Sequence, residues 1–395
     1  MSLNNTKLPE EHPDDWGDIS DAELLNLQSE HLVPSVRCSV TSEAEAETHF
    51  NQKHKKIPKL KAGFFLKVKA RWSQDVSIPN VRPMDRFNKS HFSVTQLCAH
   101  SWCEIHMIYG LLKPQVRRKE MQRKEVTTGA SIHLSREREA HPNVLKVPVI
   151  TREDKEAVLY LSMLQKIKAI HAGQHVREFP VFGVLEGMFL SGIVDDLRRS
   201  DSGELALSDL KTRKHNSFPC PSQARGHFLQ VGLYKLLFDS MVSGQLDRGR
   251  IILYLQARWL KLQQALGDRV QEQAKTMGYS AATLEELLDV LLAVLASSNI
   301  QEVNKLHVEY HHQSTGSHIG TSKVEFQETQ LKTELRGYLA YWRGEREPQG
   351  VDIEDAWKCT ICPHEEICDW RKGQTTDYSN KRAKLDSANS SLSGT

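Results

Sequence analysis

The sequence predicts an α/β fold in which a helix, three strands, a second helix and a further strand follow one another. Residues 152–171 repeat apolar side chains at helical spacing, and residues 176–214 alternate in the manner of three strands. Residues 223–242 return to a helical pattern, and the β-rich run 251–259 predicts the last strand. We therefore expect an αβββαβ core to which the remaining helices are added.

Length and charge limit the possible classes of protein. The 395 residues can bury a substantial core. Charged residues make up 26% of the chain, but the formal net charge is only +2, so the global charge identifies no partner. No stretch is apolar enough to span a membrane, and residues 1–30 lack the basic start and apolar core of a secretory signal. The sequence therefore predicts a soluble, intracellular protein that does not associate with a membrane.

Composition divides the chain into four segments. Residues 1–50 are polar and acidic and are predicted to be a disordered tail. Residues 51–84 form a basic segment with interleaved aromatic side chains, which suits single-stranded nucleic acid, although a merely solvated segment is the alternative. Residues 85–373 are predicted to form the folded domain, and residues 374–395 a disordered basic and polar tail.

The last segment also carries a targeting signal. Residues 381–386 read KRAKLD and are similar to a short basic nuclear localisation signal. The sequence therefore predicts a nuclear protein, with the cytosol as an additional location and the mitochondrion as a less favoured one.

Two carboxylates and a lysine lie on neighbouring predicted strands. Asp209 and Lys211 project from the same face of one strand because side chains alternate, and Asp195 lies on the strand before it. Two carboxylates can bind Mg²⁺, and an adjacent ammonium can orient water or neutralise developing charge. The alternative is a surface hairpin whose Asp and Lys pair in solvent.

Polar residues on two predicted helices accompany this pair. Gln230 and Tyr234 lie four positions apart and therefore share one helix face. His133 follows Gly129 by one helical turn in a helix predicted over 127–139. Taken alone, the first two residues are compatible with an ordinary amphipathic helix, and the histidine with a structural one.

The chain contains seven cysteines, an odd number that argues against a disulfide framework in an intracellular protein. Cys359 and Cys362 form a CxxC, and Cys368 follows after five further residues. Thiolates at this spacing can bind one metal, and spacing alone favours zinc, with His364 as a fourth ligand.

The order of these motifs resembles one branch of a known nuclease superfamily. The sequences GASIH, REFP, GIVDD, DLKTR and QVGLY follow one another as in the RecB-type PD-(D/E)xK nucleases. Within that branch the chain resembles the eukaryotic exonuclease V family over about residues 85–373, including AYWRGEREPQGVDIEDAWKC and CDWRKG. The resemblance implies a restriction-endonuclease-like PD-(D/E)xK core with an iron–sulfur staple.

The resemblance also assigns roles to individual residues. It implies that Asp195, Asp209 and Lys211 are catalytic, and that Lys211 positions the attacking water. It further implies that His133, and more weakly Glu178, bind Mg²⁺ or Mn²⁺ together with Asp195 and Asp209. The residues that it implies to bind DNA are Arg213, Gln230 and Tyr234.

A 4Fe-4S cluster is implied in place of zinc. In the iron–sulfur subgroup one upstream cysteine joins a downstream CxxC and a further cysteine, and the cluster connects the two ends of the nuclease domain. The implied ligands are Cys103, Cys359, Cys362 and Cys368; Cys98, five positions before Cys103, is a competing candidate.

The activity implied by the resemblance is a Mg²⁺-dependent single-strand DNA exonuclease. Such an enzyme requires a free DNA end, releases short oligonucleotides and acts in DNA repair. The expected partners are single-stranded DNA and a single-strand DNA-binding protein such as replication protein A, and the expected state is a monomer. Two other classes remain open: a catalytically inactive single-strand DNA binding module and a zinc-stabilised interaction protein.

Overall fold

The computed structural model describes residues 81–140, 147–200 and 203–373. The predicted tails 1–50 and 374–395 lie outside the described residues, as does nearly all of the basic segment 51–84. The division into these four segments therefore stays a prediction.

The described residues form a mixed α/β fold around one six-stranded mixed sheet. β2 pairs antiparallel with one edge of β3, whereas the other edge of β3 pairs parallel with β1 and antiparallel with β4. β5 then lies parallel to β4, and β6 pairs antiparallel with β5. The strands are β1 Phe92–Ser93, β2 Val176–Leu185, β3 Met188–Arg199, β4 Leu205–Arg213, β5 Val303–His312 and β6 His318–Val324.

Helices precede, connect and follow these strands. Five lie before residue 141: α1 Pro83–Arg86, α2 Val94–Trp102, α3 Glu104–Leu112, α4 Pro114–Met121 and α5 Lys124–Ala140. The others in the described part of the chain are α6 Arg152–His171, α7 Pro221–Val242, α8 Arg248–Ala257, α9 Asp268–Thr276, α10 Leu284–Ala296, α11 Glu328–Trp342 and α12 Trp357–Thr360. Short 3₁₀ turns span Ile353–Asp355 and Glu365–Ile367.

The hydrophobic core lies between the sheet and α7. This helix packs against β2, β3, β4 and β5, and it buries Tyr234 and Phe238 completely. α6 begins at a capping box in which the Thr151 side chain accepts a hydrogen bond from the backbone N–H of Asp154. It packs against β2 and α10. One continuous core therefore joins α6, the strands β2, β3, β4 and β5, and α7.

The last strand of this order is β5, and the prediction of a strand at 251–259 is wrong. Residues Arg248–Ala257 form α8, whose first backbone N–H groups are capped by the Asp247 side chain, at 3.1 Å from the Arg250 nitrogen. Ile251 and Leu255 are buried one helical turn apart. The β-branched content of this run was therefore outweighed by helix capping and packing.

The apolar side chains of residues 93–110 repeat at helical spacing, but the segment forms two helices, α2 and α3. Cys103 has an extended backbone, with φ −173°, between α2 and α3. Its sulfur accepts the backbone N–H of His106 at 3.5 Å and so caps α3. Among the helices of the described residues, none is long and apolar enough to cross a membrane.

Candidate active site and cysteine pocket

The candidate active site lies where β3 and β4 separate. The two strands pair from Arg199 and Leu205 as far as Asp196 and Ser208, and the ladder then stops. Beyond this point the backbone N–H of Leu210 donates to the Asp195 carboxylate at 2.6 Å and not to a backbone carbonyl of β3. The sheet register therefore brings Asp195 to the start of the gap, opposite Asp209.

Glu178 reaches the same place from β2 through an unusual backbone. The register runs from Arg177–Asp196 to Phe179–Val194 and skips Glu178, which has φ +49°. A non-glycine residue in this left-handed region costs of the order of 1–3 kcal/mol and is common at functional sites. Its carboxylate lies 3.7 Å from the His133 Nδ1 atom, so the strained backbone directs an acidic group towards this histidine.

His133, Glu178 and Asp195 together can hold a metal ion. The His133 Nδ1 atom lies 3.6 Å from the Asp195 Oδ2 atom, and one ligand atom from each residue lies within 4.8 Å of the others. Ligands at about 2.1 Å from one Mg²⁺ lie within about 4.2 Å of one another, so small movements bring all three onto one ion. Burial lowers the pKa of His133, but the carboxylates of Asp195 and Glu178 raise it overall.

Asp209 is buried beside this set and lacks ordinary hydrogen-bond partners. It is 1% exposed, and apart from its ion pair with Lys211 neither carboxylate oxygen has a hydrogen-bond partner in the described residues. The Lys211 Nζ atom lies 2.8 Å from its Oδ2 atom as an ion pair. Burial raises the pKa of Asp209 to about 6, with the charge of Asp195 acting in the same direction and Lys211 opposing it. Such an under-satisfied carboxylate fits a bound cation.

A buried hydrogen-bond chain orients Lys211. Its Nζ atom donates to the Gln230 Oε1 atom at 2.9 Å, and the Gln230 amide donates to the Tyr234 hydroxyl at 2.9 Å. Both Gln230 and Tyr234 are fully buried. The structure thus places them behind the lysine, where they fix the direction of its ammonium, and their contact with DNA stays a prediction.

Arg213 also faces inward at the end of β4. It is 8% exposed, and its Nε atom donates to the Ser217 carbonyl at 2.8 Å. Burial lowers its pKa. In this arrangement Arg213 holds the loop between β4 and α7, and its predicted DNA contact is likewise untested.

The four predicted cluster ligands line one cavity between α3 and the region around α12. The cavity is lined by Cys103 at the start of α3 and by Cys359, Cys362 and Cys368 around α12, together with His364. Cys98 is buried in the hydrophobic core and does not line it. The structure therefore brings together the four cysteines that the sequence selected and separates the competing one.

The thiols of this pocket are not arranged as a preassembled zinc site. Zn–S distances of about 2.3 Å place the sulfurs of a tetrahedral site within about 3.8 Å of one another. Among the described residues, His133, Glu178 and Asp195 are the only set of three such ligand atoms within 4.8 Å, so no three thiols of the pocket approach that closely. The buried His364 Nε2 atom has no hydrogen-bond partner in the described residues, a further sign that the pocket receives a polar group.

Protein contacts also join the two sides of the pocket. Arg346 donates to both Glu104 carboxylate oxygens, and the Gln349 backbone N–H donates to the same carboxylate at 2.7 Å. The Tyr109 hydroxyl donates to the Ile367 carbonyl at 3.0 Å. The sequence analysis missed Glu104 and Arg346, since residues 242 positions apart give no local signal of pairing.

Comparison with known proteins identifies the family. The family model described as "Exonuclease V - a 5' deoxyribonuclease" matches the chain over residues 82–204, 198–283 and 261–371. The chain belongs to the exonuclease V family. Its members are nucleases, so the expectation of a hydrolase that cuts nucleic acid is confirmed at that level.

A relative within the exonuclease V family extends this match. The protein named Exonuclease V from Danio rerio is 44% identical over 374 residues, which cover 92% of this chain and 94% of the relative. The aligned 92% of the chain is longer than the interval 82–371 that the family model matches. The similarity therefore also reaches into the terminal segments, which lie outside the resemblance described above. The solved structure titled "Crystal structure of SSO0001" covers 71% of this chain and 86% of its own with 12% identity, but its TM-score of 0.36 supports no conclusion.

One further cluster near the site was missed by sequence reasoning. Arg136, one turn after His133 on α5, places a guanidinium nitrogen 3.2 Å from the His311 ring on β5. His311 in turn lies beside His318 on β6, with ring centroids 5.1 Å apart. The spacing of Arg136 and His133 on one helix face was the available signal, but the GxxxH element gives a role only to the histidine.

Proposed function

We propose that this chain is a Mg²⁺-dependent exonuclease that degrades single-stranded DNA from a free 5' end. The observation that carries the proposal is the convergence of His133, Glu178 and Asp195 beside the buried pair Asp209 and Lys211. The family description, a 5' deoxyribonuclease, supports DNA as the substrate and the 5' end as the start. Short oligonucleotides would be the products, and DNA repair or genome maintenance the setting.

The arrangement of the elements supports a PD-(D/E)xK core. α6 precedes the antiparallel strands β2, β3 and β4, and α7 then leads to β5, which runs parallel to β4. This matches the predicted αβββαβ order, except that β5 replaces the strand predicted at 251–259 and that α8, α9 and α10 lie between α7 and β5. The carboxylates lie at the point where the central strands part, so a phosphodiester entering the gap would meet them together.

The chain's own residues have distinct tasks in the proposed hydrolysis. His133, Asp195 and Asp209 would hold Mg²⁺, with Glu178 as a further ligand, and Mn²⁺ fits the same donors. When bound, the cation would supply Lewis-acid polarisation of the scissile phosphate. Lys211, oriented by Asp209 and Gln230, would donate a hydrogen bond to the attacking water and neutralise negative charge that develops on the phosphate.

The cysteine pocket is proposed to hold a 4Fe-4S cluster. Cys103, Cys359, Cys362 and Cys368 would be its ligands, and its role would be structural, since they come from the two ends of the described chain. The family resemblance, in which one upstream cysteine joins a downstream CxxC and a further cysteine, supports a cluster over a single zinc ion. A zinc-stabilised interaction protein is the competing class, and metal content separates the two.

Partners and location are part of the same proposal. A single-strand DNA-binding protein such as replication protein A would present the substrate, and the enzyme would act as a monomer. The basic run 381–386 would direct the protein to the nucleus. None of these three statements depends on the geometry of the site.

The proposal is tested with linear and circular single-stranded DNA in the presence of Mg²⁺ and anaerobically purified protein. We expect only the linear substrate to be degraded, and we expect Asp209→Ala to reduce the rate at least 1,000-fold, since it removes a cation ligand and the partner of Lys211. Blocking the 5' end should protect the linear substrate. Cutting of circles would indicate an endonuclease, and binding without cutting would indicate an inactive DNA-binding module.

The neighbouring Asp196 offers a matched control. It is also buried, but its carboxylate pairs with His175 and Arg198, each at 2.6 Å, away from Lys211. Asp196→Asn should lower stability and leave the rate per folded molecule within about threefold of the unchanged protein. Equal losses of activity in both variants would contradict a special role for Asp209.

A further inference from the structure

Phe218 is an exposed aromatic residue in the loop that follows the strand bearing Asp209 and Lys211. Its side chain belongs to the few large apolar groups at the surface, with 43% of its area exposed. Single exposed apolar residues are normal, so exposure by itself assigns no role. The position of the ring within the sheet is what distinguishes Phe218.

The ring lies in the same row of the sheet as Lys211. Lys211 on β4 is the register partner of Tyr310 on β5, and Tyr310 is the partner of Gly320 on β6. The Phe218 ring meets the edge of the Tyr310 ring, with centroids 5.5 Å apart and planes at 74°. It also covers Gly320, where an added Cβ would lie 2.2 Å from the Phe218 Cζ atom.

This row puts the exposed ring close to the proposed cleavage site. Two strand spacings separate β4 from β6, which is about 10 Å, and register partners project from the same face of a sheet. Phe218 therefore lies on the Lys211 face at a distance comparable to the length of one or two nucleotides. Glycine at 320 leaves the space that the ring occupies.

The loop holds Phe218 in place before any ligand arrives. The Ser217 carbonyl accepts the Arg213 Nε–H at 2.8 Å, and the Ser217 backbone N–H donates to the His215 carbonyl at 2.9 Å. Pro219 follows the phenylalanine and restricts it to extended conformations. A ring that is already ordered loses little conformational entropy on binding.

We propose that Phe218 is a stacking platform for an unpaired base of the substrate strand, one or two nucleotides from the phosphate that is cut. This inference rests on the proposed action on single-stranded DNA. Stacking on an aromatic ring accepts any base, because every base has a π face, but it requires a base that is not already stacked in a duplex. Phe218 would thereby contribute to the choice of single strands without selecting a sequence.

The first test measures the affinity of the full chain for a fluorescent linear oligonucleotide in EDTA, which prevents cutting. Phe218→Ala should bind about tenfold more weakly, the loss expected for one stacked base, whereas Phe218→Trp should bind at least as tightly as the unchanged protein. Phe218→Leu keeps an apolar side chain without a ring and should resemble the alanine variant. Equal affinity of the unchanged protein and Phe218→Ala would overturn the proposal.

Trp259→Ala is the matched control. Trp259 is 82% exposed just after α8. This helix packs through Tyr254 against Phe189, near the start of β3 and six residues before Asp195. Its removal should leave the affinity unchanged. A similar loss in both alanine variants would show a general effect of exposed aromatic residues and would also overturn the proposal.

A second test uses the contact with Gly320. Gly320→Ala should displace the Phe218 ring and weaken binding about as much as Phe218→Ala, but it should have no effect in the Phe218→Ala background. In parallel, an oligonucleotide with one abasic position should lose affinity for the unchanged protein at a single register and not for Phe218→Ala. Each test is a double-mutant cycle that combines Phe218→Ala with Gly320→Ala or with the abasic position. If the two losses of affinity add in either cycle, stacking by Phe218 is contradicted.

These measurements separate failure of the inference from failure of the proposed function. If the unchanged protein binds single-stranded DNA and the Phe218 variants bind equally well, only the stacking role fails. If the unchanged protein prefers duplex DNA or binds neither form, the proposed substrate fails and the stacking role fails with it.

Discussion

The candidate active site and the cysteine pocket are assembled in different ways. The first takes most of its residues from β2, β3, β4 and α7, and strand register determines where Asp195 and Asp209 lie. The second joins α3 to residues 357–371 through contacts such as Tyr109 to Ile367, which are 258 positions apart. The comparison teaches that strand pairing can place the residues of the candidate active site in advance, whereas the pocket is held by side-chain contacts between distant segments and, in our proposal, by a cluster.

The two sites also differ in the charge of their side chains when no metal is bound. The active site already holds the ion pair of Asp209 and Lys211. In the pocket, burial raises the pKa of Cys103 and of Cys362 to about 12, so these thiols are protonated at neutral pH when no metal compensates them. Binding of the proposed cluster would therefore release protons, and it would couple the fold of this region to pH and metal supply.

The largest expected effect comes from removing a ligand of the pocket. Cys359→Ser should lose iron and lower the unfolding temperature by 10 °C or more, because the proposed cluster joins distant segments. Iron content, zinc content and thermal unfolding of anaerobically purified protein measure this. Stoichiometric zinc without iron in the unchanged protein would support the interaction-protein class instead.

Cys98→Ser provides the control for this experiment, since Cys98 is buried outside the pocket. It should keep its full iron content. Loss of iron in Cys98→Ser but not in Cys359→Ser would mean that the ligand set is wrong.

A smaller effect is expected from the protein contacts that join the pocket. Trp342 donates to the His100 Nε2 atom at 2.8 Å, so the His100 Nδ1 atom carries the proton and donates to Glu104 at 3.1 Å. Glu104→Gln leaves Arg346 and this histidine without a charged partner and should cost about 3 kcal/mol of unfolding free energy. Denaturant unfolding measures the loss, and faster release of iron to a chelator should accompany it.

The exposed Glu347 gives the control for the Glu104 variant. Glu347→Gln should change the free energy of unfolding by less than about 0.5 kcal/mol. If Glu104→Gln is equally harmless, the contacts of Glu104 do not hold the two sides of the pocket together. The proposed cluster alone would then join α3 to residues 357–371.

The smallest expected effect is a loss of stability at Asp154, which lies outside both the candidate active site and the cysteine pocket. The Asp154 carboxylate accepts backbone N–H groups of Gly267 at 2.8 Å and Thr151 at 3.1 Å, and Asp154→Ala should cost about 1–2 kcal/mol at pH 7. Burial raises the pKa of Asp154, but these hydrogen bonds lower it overall. The stabilisation is therefore full above about pH 4 and is lost as pH falls through the folded pKa.

Unfolding of the two proteins between pH 7 and pH 2 measures this difference. The gap in stability between the unchanged protein and Asp154→Ala should narrow with acid. Lys155→Ala, at the exposed position next to it, should show no gap at any pH. A gap that widens with acid would mean that the carboxylate is not the stabilised form.

The sequence predicted those parts of the fold that depend on regular periodicity. α6 begins and ends at the predicted residues 152 and 171, because its buried positions repeat at helical spacing and its start carries a capping box. The prediction at 251–259 failed because propensity and periodicity disagree in that run, and capping by Asp247 favours the helix. The parallel pairing of β5 with β4 depends on contacts between distant segments, which a local sequence pattern does not contain.

Site residues that belong to a sequence motif could be predicted. Residues whose role depends on packing between distant elements could not. The pair Asp209 and Lys211 follows from alternation along a strand, and the four cysteines follow from the family order. The inward position of Gln230 and the placement of Phe218 over Gly320 depend on packing between elements far apart in sequence. Those features could be found only once the sheet was assembled.

The left-handed backbone of Glu178 has a consequence for attempts to make this protein more heat resistant. Glycine or asparagine would adopt φ +49° with less strain, so a selection for stability alone would accept either residue at position 178. Both changes would remove the carboxylate that faces His133. A thermostabilised variant chosen without a functional screen would therefore tend to lose an acidic group from its cleft at this position.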